Sequence, residues 1–557
     1  MILTDYLIGF IEDNAGFFAL PRLIGNGLVG CTDYFGYPTG VCQNLFTNNQ
    51  PLVFVFSFLL ASLVNPVAAY NAILLASSAL NLFFGYRFYT KLFGRFIGIL
   101  LAGIFVASPF LAYQSRSHLD LLQFWPVIWF LHTMLFSTSR SKAVVLGLLL
   151  TLITSISNYL GYFTLLFTAL YLLARWLMCQ TKLACVTRHF RNVVTTALVF
   201  SLTTLIFMAP YIQANYLSPN PGVEAFGETK AVNRTLDDFI IFSSRPWYYL
   251  VPSVDNPFFG SLANTALTSL AKGGNYLTQN YFKAEHSASF VGWVNLILAL
   301  LGCVALVRRN TPHQARSAIS YPALALTIGA LVVLAMPPVV TINATPIYTP
   351  SYGLFKLFPM FRVLARSGIL SLFLILIFTG YGYVTLVRHR LPRLLLGLLA
   401  LISIAEFIIP LKISHVGTPP KVYTYLGAAN SLKSPVVVYP YTKTTEAIFW
   451  MTTHNQPLIN PRMYDYPKTG FVSEDFTNLL STAGGLEQAS SMNAKYLVYF
   501  YETDGGASTA FFDSSTLLTY MGDFRESSQG ERQLGGVLRI VEAGSAVSNS
   551  ARLYKFR

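Results

Sequence analysis

The amino-acid sequence predicts an α-helical polytopic membrane domain of about ten spanning helices, followed by a small soluble α/β domain. The chain has 557 residues, of which 54% are hydrophobic, and its mean hydropathy is +0.51. Only 11% of the residues are charged, whereas soluble globular proteins carry about 25%. Many apolar runs have the length of about 20 residues that a helix needs to cross a bilayer. Beyond residue 412 these runs shorten to the length of strands.

The spanning helices are expected where long apolar runs carry almost no charge. The fourth and fifth segments meet at Asn158-Tyr159, which predicts a tight hairpin between them. The predicted transmembrane domain covers 68–411, with spans at 68–89, 96–113, 121–137, 142–158, 159–178, 193–217, 290–307, 321–336, 368–387 and 391–411.

The basic residues predict the orientation of these helices. They occupy alternate short loops that contain no Asp or Glu, and loops of this kind face the cytoplasm. The remaining loops and both termini are therefore expected outside, including loops 218–289 and 337–367. The basic residues in question are Arg87, Lys91, Arg95, Arg140, Lys142, Arg175, Lys182, Arg188, Arg191, Arg308, Arg309, Arg316, Arg388, Arg390 and Arg393.

The N-terminal segment 1–67 is predicted to lie outside and to carry surface helices. Residues 51–65 are apolar but too short to span, so we expect a helix on the outer face. An external N-terminus needs either a first span that inserts as a reverse anchor or a further helix upstream of Met1. The sequence leaves both open.

The tail 412–557 is predicted to be an external α/β domain. No nucleotide-binding glycine fingerprint occurs in it, so no nucleotide cofactor is expected. Strands are expected at Val436–Tyr441, Ala447–Met451, Tyr496–Tyr501 and Val537–Val541, and helices at Glu474–Thr482 and Ser514–Met521.

The formal net charge of +14 does not indicate nucleic-acid binding. The basic residues cluster in short loops between apolar runs, and no nucleic-acid-binding motif accompanies them. We therefore expect membrane lipids as partners, a multi-pass location in the cell membrane, and no nucleic acid.

Three groups of polar residues on the predicted outer face are candidates for chemistry. Asp5, Asp13 and Asp33 could each act as a general base toward an acceptor hydroxyl, or could be solvated acids or helix caps. No metal-ligand spacing occurs, and the sequence leaves open whether a divalent metal takes part.

The second group is Arg116, His118 and Asp120, in the loop before the third predicted span. Arg116 and His118 could hold a phosphate, while Asp120 could bind a metal or orient His118. The alternative is that Asp120 caps the N-terminus of the span.

The third group is Lys356, Arg362 and Arg366, where the chain re-enters the membrane from outside. Arg362 and Arg366 are four residues apart and would share one face of a helix. They suit phosphate binding, or they snorkel to lipid headgroups.

The order and spacing of several stretches resemble the GT-C superfamily of polytopic, lipid-sugar-dependent glycosyltransferases, and within it a poorly characterised bacterial group of glycosyltransferase-like membrane proteins. The stretches run over most of the chain: TDYFGYPTG, PVAAYNAILLASSALNLFFGYRFYTKLFG, SPFLAYQSRSHLDLLQFWPVIW, SNYLGYFTLLFTALYLLA, EHSASFVGWVNLILALLG, FRVLARSGILSLFLILIFTGYG, and PVVVYP with TTHNQPLIN.

The resemblance implies a donor sugar on polyprenyl phosphate or diphosphate, with an acidic residue of the first external loop as base. By position Asp5, Asp13 and Asp33 are the candidates, with Asp5 or Asp13 favoured over Asp33. Phosphate binding falls by motif position on Arg116, His118, Arg362 and Arg366. The external acids and the loop Arg116–Asp120 are expected to converge on one external cavity with Arg362 and Arg366.

The function predicted from the sequence is therefore transfer of a sugar from a polyprenyl-phosphate-linked donor to an acceptor on the outer face. The acceptor is a glycan, a lipid or a protein. The alternative is a non-catalytic GT-C-like scaffold or transporter that handles lipid-linked glycans. An ion-coupled transporter is disfavoured, because the predicted spans contain almost no ionisable residues near their centres.

Overall fold

The computed structural model describes residues 6–9, 34–38, 50–179, 182–212, 235–272, 287–308, 319–342, 345–429, 433–461, 474–525 and 550–557. The chain forms two compact units. The first contains 1–73, 207–231 and 412–557, and the second contains 74–206 and 232–411.

Helices dominate the described residues between 50 and 411. In chain order they are α1 (Pro51–Leu63), α2 (Pro66–Phe93), α3 (Arg95–Val106), α4 (Pro109–Gln114), α5 (Leu119–Leu122), α6 (Trp125–Phe136), α7 (Lys142–Ile156), α8 (Asn158–Leu177), α9 (Lys182–Ile212), α10 (Leu236–Ile241), α11 (Gly260–Lys272), α12 (Trp293–Arg308), α13 (Tyr321–Leu334), α14 (Ser351–Leu357), α15 (Gly368–Arg388) and α16 (Arg393–Phe407).

Each of the ten predicted spans coincides with at least one of these helices. Within the described residues, five helical stretches are long and apolar enough to cross a membrane: Pro66–Phe93, Leu119–Phe136, Asn158–Leu177, Phe190–Ala209 and Leu364–Arg388. The chain is therefore a membrane protein with a mostly helical membrane domain. That all ten segments cross the bilayer stays a prediction.

Two of the predicted spans are interrupted at prolines. The second is divided into α3 and α4, with Pro109 at the first position of α4. The third begins with the short helix α5, and α6 starts again with Pro126 in its first turn. Proline lacks the backbone N–H that a continuing helix would use, so it favours a helix start.

Helix α15 forms the middle of the second unit, and its close contact with α12 depends on two glycines. A Cβ on Gly302 would collide with the Phe378 carbonyl oxygen, and one on Gly382 would collide with the Leu298 carbonyl oxygen. Small residues of this kind allow helix backbones to approach within a membrane. By contrast, only 6% of the apolar stretch Phe190–Ala209 of α9 is buried, as expected for a helix that faces lipid.

Buried polar groups also tie the helices together. The Tyr89 hydroxyl donates to the Phe373 carbonyl oxygen at 2.9 Å, which links α2 to α15. Thr379 Oγ1 donates to the Asn295 carbonyl oxygen at 3.1 Å, and Ser403 Oγ donates to Asn295 Oδ1 at 3.1 Å. One buried asparagine on α12 thus contacts both α15 and α16.

The described strands are β1 (Tyr6–Ile8), β2 (Val339–Ile342), β3 (Thr345–Tyr348), β4 (Ile413–His415), β5 (Val436–Tyr439), β6 (Tyr496–Tyr499), β7 (Leu518–Phe524) and β8 (Ala551–Phe556). The tail contains a four-stranded sheet of order β5-β6-β8-β7, in which β5 and β6 are parallel and the other pairs antiparallel. Helices accompany it: α17 (Lys421–Ala429), α18 (Thr444–Phe449), α19 (Met451–His454), α20 (Glu474–Leu479), α21 (Ala483–Ser491) and α22 (Thr509–Ser514).

Two of the predicted elements in the tail are wrong. Residues 447–451 are helical rather than a strand, because a short apolar run fits a buried helix as well as a buried strand. The expected helix Ser514–Met521 instead joins the end of α22 to the start of β7. The expected strand Val537–Val541 lies outside the described residues.

The N-terminal segment pairs with the tail. Strand β1 is antiparallel to β4, with Tyr6 opposite His415, and the Gly9 N–H donates to the Lys412 carbonyl oxygen at 2.9 Å. Phe35 forms a parallel bridge with Leu458. These paired residues all belong to the first unit.

Candidate functional site

The three predicted catalytic acids, Asp5, Asp13 and Asp33, lie outside the described residues. The six predicted substrate-binding residues are all described, and all belong to the second unit. The structure brings some of these six together and separates others.

Arg116 is already engaged by protein groups. It is buried, and its Nη1 forms an ion pair of 3.0 Å with Asp255. Its Nη2 donates to the Pro410 carbonyl oxygen at 3.2 Å, and its guanidinium lies 5.1 Å from the Tyr113 ring centre. The Asp255 carboxylate therefore offsets the positive charge of Arg116, which was expected from the sequence to bind a phosphate.

His118 and Asp120 flank the start of α5. Ser117 Oγ lies 2.8 Å from His118 Nδ1, and Asp120 accepts a hydrogen bond of 2.8 Å from the buried Ser157 hydroxyl. Burial, and then the positive charge of Arg366, lower the pKa of His118 to about 3. The imidazole is therefore neutral near pH 7 and brings a hydrogen-bonding group, not a charge, to the site.

Arg366 is the basic residue that lies with them. Its charge interacts with both His118 and Asp120, and its guanidinium lies 4.9 Å from the Tyr159 ring centre. Three separate parts of the chain thus contribute to one group, here called the Arg366 cluster, consisting of His118, Asp120, Ser157 and Arg366.

Backbone contacts hold Arg366 in place. It lies in the 3-10 turn Leu364–Ser367, immediately before α15. The Ala365 N–H donates to the Phe242 carbonyl oxygen at 3.1 Å, and Ser289 Oγ contacts the Ala365 carbonyl oxygen at 3.4 Å. Gly368 follows, and a Cβ there would approach the Ser289 hydroxyl to 2.7 Å. A larger residue would push this turn away from Ser289.

Arg362 and Lys356 have different surroundings. Arg362 precedes the helical turn, so the shared helical face expected for Arg362 and Arg366 is not formed. Its Nη1 pairs with Asp238 at 3.2 Å, and its guanidinium lies 4.7 Å from the Phe242 ring centre. Lys356 is exposed on α14, with its Nζ 5.3 Å from the Tyr352 ring centre.

An aromatic surface adjoins the cluster, and sequence reasoning missed it. Tyr162 stacks on Phe361 with ring centres 4.3 Å apart and an interplanar angle of 7°. Phe361 also meets Tyr159, the ring beneath Arg366, at 5.5 Å. The hairpin at Asn158-Tyr159 was the available signal, because it places aromatic residues at the end of a span next to a polar turn.

Polar atoms near this hairpin are buried without a partner. Among the described residues, Asn158 Oδ1, Ser155 Oγ and the Tyr162 hydroxyl have no hydrogen-bond partner. Buried polar atoms in proteins are nearly always satisfied, so such a group of orphans indicates a place where a polar ligand or water binds.

The arrangement suits an anion next to a ring. A guanidinium binds phosphate oxygens in a fixed geometry, and aromatic faces stack on sugars or line the path of a lipid chain. As for a metal, the described residues contain no group of three or more His, Cys, Asp or Glu side chains that could hold one.

One family model matches the chain, a domain of unknown function (DUF6311), over residues 28–236. No curated protein sequence matches this chain.

Solved structures of membrane glycosyltransferases resemble the fold. The mycobacterial arabinofuranosyltransferase AftD matches over 99% of this chain and 39% of its own, with a TM-score of 0.55 and 13% identity. The chain therefore has a GT-C-like fold. It spans about two fifths of that protein's length.

Two further structures match with lower scores. The oligosaccharyltransferase AglB from Archaeoglobus fulgidus, in complex with an inhibitory peptide and a dolichol-phosphate, has a TM-score of 0.48 and 11% identity, over 94% of this chain and 70% of its own. ArnT from Cupriavidus metallidurans, bound to undecaprenyl phosphate, has a TM-score of 0.44 and 10% identity, over 100% of this chain and 95% of its own.

Proposed function

We propose that the protein is a glycosyltransferase that moves a sugar from a polyprenyl-phosphate-linked donor to an acceptor on the outer face of the membrane. The bond between the anomeric carbon and the phosphate oxygen breaks, and the acceptor oxygen forms the new bond to that carbon. The acceptor proton passes to a carboxylate, and the polyprenyl phosphate leaves with the negative charge.

The observation that carries this proposal is the position of Arg366. It interacts with Asp120 and His118 and lies over an aromatic ring at the end of a membrane helix. A cation placed where a phosphate leaves stabilises the charge that develops on it. Ion pairs of 3.0 Å with Asp255 and of 3.2 Å with Asp238 hold Arg116 and Arg362, respectively, within the protein.

The lipid chain and the sugar have surfaces to contact beside this cation. The stacked rings of Tyr162 and Phe361 continue from the ring under Arg366. The fold that the chain shares with an arabinofuranosyltransferase supports sugar transfer as the reaction class. The acceptor is a glycan, a lipid or a protein.

The base is proposed among Asp5, Asp13 and Asp33, as the family resemblance implies. Asp120 is a further candidate, because it is the carboxylate whose charge interacts with Arg366. A base must come within about 3 Å of the acceptor hydroxyl in the reacting complex. Asp120 accepts a hydrogen bond from Ser157, which makes it better suited to orienting neighbouring groups than to accepting a proton.

The outer face is proposed from the basic loops together with the pairing of the N-terminal segment and the tail. Cysteine labelling tests this in a chain whose native cysteines have been replaced. Ser139 and Ser514 are both exposed, and the proposal places them on opposite sides of the membrane. Labelling of both from the same side would overturn the topology.

The reaction is tested by release of undecaprenyl phosphate from a panel of undecaprenyl-phosphate-linked sugars, in membranes that contain the full chain. Arg366→Gln should reduce release at least about 100-fold, because it removes the charge that stabilises the leaving group. Arg393→Gln is the matched control, since Arg393 also lies over a single ring, Phe96, on the opposite predicted face. Equal activity of the two variants would contradict the proposal.

The acidic residues separate an enzyme from a scaffold. Asp5→Asn, Asp13→Asn, Asp33→Asn and Asp120→Asn should include one variant that binds undecaprenyl phosphate normally but no longer releases it from the donor. If all four retain release, none of these acids is the base. If the wild-type chain binds the donor but never releases the phosphate, the protein is a scaffold for lipid-linked glycans.

A further inference from the structure

A second group of basic residues lines a cavity away from the Arg366 cluster. The cavity has a volume of about 870 Å³ and lies between the C-terminal ends of α2 and α6. We call it the Lys91 cavity and define it by Arg87, Lys91, His132 and the run Ser137-Thr138-Ser139. It belongs entirely to the second unit, on the face that the loop charges predict to be cytoplasmic.

The positive charges of this cavity are not offset by acids. Arg87 and Lys91 lie one turn apart on α2, and like charges at this spacing repel each other by a few tenths of a kcal/mol. Neither forms an ion pair with a carboxylate anywhere in the described part of the chain. Both also act on His132 across the cavity.

Among the described residues, neither Arg87 nor Lys91 caps a helix end through a hydrogen bond to a carbonyl group. Basic residues near helix C-termini often satisfy the last carbonyl groups. At the end of α6, Lys142 caps the helix, because its Nζ donates to the Met134 carbonyl oxygen at 2.6 Å. At the end of α2 the Gly94 N–H donates to the Thr90 carbonyl oxygen at 3.0 Å, and α3 begins at once.

Hydrogen-bonding groups complete the lining. Ser137, Thr138 and Ser139 bring three hydroxyls to the edge of the cavity, and Ser139 Oγ lies 2.8 Å from Ser141 Oγ. Hydroxyls and cations together are the groups that bind phosphate oxygens. The volume exceeds that of a bare phosphate and falls in the range of about 300–1,000 Å³ typical of small-ligand sites.

We propose that the Lys91 cavity binds a phosphate ester, with Arg87 and Lys91 as the cations and the 137–139 hydroxyls as further donors. The ester belongs either to an anionic lipid headgroup or to a free phosphate compound. Basic pockets between membrane helices on the cytoplasmic side commonly receive anionic headgroups. This site is independent of the sugar-transfer site and does not rest on the proposed function.

Binding is measured on the full chain purified in detergent, with phosphatidylglycerol and inorganic phosphate as separate probes. The variant Arg87→Gln/Lys91→Gln should weaken binding at least about tenfold, since charge-assisted hydrogen bonds are lost. Arg95→Gln/Arg140→Gln is the control, because it removes two exposed positive charges from the same face outside the cavity lining.

The two probes distinguish the sources. Loss of phosphatidylglycerol retention in native mass spectrometry, with phosphatidylcholine unaffected, supports a lipid headgroup. Loss of inorganic phosphate binding by ³¹P NMR supports a free phosphate compound. If each probe binds Arg87→Gln/Lys91→Gln as tightly as it binds the control Arg95→Gln/Arg140→Gln, the proposal is overturned. Should Arg87→Gln/Lys91→Gln fail to fold, the single variants Lys91→Gln and Arg95→Gln are compared in the same way.

Discussion

The Arg366 cluster and the Lys91 cavity both gather basic side chains at helix ends of the second unit, but they differ in how the charges are neutralised. Around the Arg366 cluster, Asp255 pairs with Arg116, Asp238 pairs with Arg362, and Asp120 interacts with Arg366. In the Lys91 cavity no carboxylate of the described chain pairs with the cations. The ion pairs with Asp255 and Asp238 hold Arg116 and Arg362 within the protein, whereas the cations of the Lys91 cavity are suited to an anion from outside.

The largest effect on stability is expected at the ion pair between the buried Arg116 and Asp255. Asp255→Asn leaves the buried Arg116 without its countercharge, which should lower the free energy of unfolding by about 2 kcal/mol. The effect stays below that of a fully buried pair, because the Asp255 side chain is 45% exposed. Asp238→Asn is the control: both partners are about 30% exposed, and such pairs contribute less than about 1 kcal/mol.

Unfolding monitored in detergent by intrinsic fluorescence measures both variants. If Asp238→Asn destabilises the chain as much as Asp255→Asn does, burial does not determine the strength of these pairs. The difference between the Arg366 cluster and the Lys91 cavity would then not depend on how their charges are paired.

A smaller effect is expected from His118. Its folded pKa of about 3 lies below the unfolded value near 6.5, so the unfolded chain binds a proton first as the pH falls. Stability should therefore be fully present above about pH 6.5 and decrease toward pH 3. Between pH 7 and 5.5 the loss is about 1 kcal/mol, from the linkage relation.

The variant His118→Gln should remove this part of the acid sensitivity, and His415→Gln is the control at another histidine. The measurement is the midpoint of thermal unfolding at pH 7 and at pH 5.5. An unchanged pH dependence in His118→Gln would show that the pKa of His118 is the same in the folded and the unfolded chain, near 6.5. Below that pH His118 would then be a second cation of the Arg366 cluster.

The smallest effect is expected at the Lys91 cavity. In detergent free of phosphate and anionic lipid, Lys91→Gln should change the free energy of unfolding by less than about 0.5 kcal/mol, because relief of the repulsion from Arg87 opposes the loss of a favourable charge in the last turn of α2. Arg95→Gln should leave stability nearly unchanged. Destabilisation by Lys91→Gln of more than about 1 kcal/mol would mean that Lys91 holds a partner within the protein.

The sequence predicted the helices of the membrane domain better than the tail. A run of about 20 apolar residues has few folded alternatives, so α2 and α15 were located to within a few residues. The apolar run at Ala447–Met451 is too short to distinguish a helix from a strand, and it was assigned wrongly.

The candidate site was predictable in kind but not in detail. Arg116, His118, Asp120 and Arg366 were recognised as polar groups of one predicted face. The ion pairs of Arg116 and Arg362 could not be predicted, because Asp255 and Asp238 are 139 and 124 residues away from them in the sequence. The aromatic surface at Tyr162 and Phe361 also depends on contacts between distant segments.

The central claim is that Arg366, rather than Arg362, receives the phosphate of the lipid donor. The direct measurement is the affinity of purified Arg366→Gln and Arg362→Gln for undecaprenyl phosphate, by titration in detergent, with Arg393→Gln as control. We expect Arg366→Gln to weaken binding at least about tenfold and Arg362→Gln to weaken it less than about threefold. Equal loss in both variants, or unchanged binding in Arg366→Gln, would contradict it.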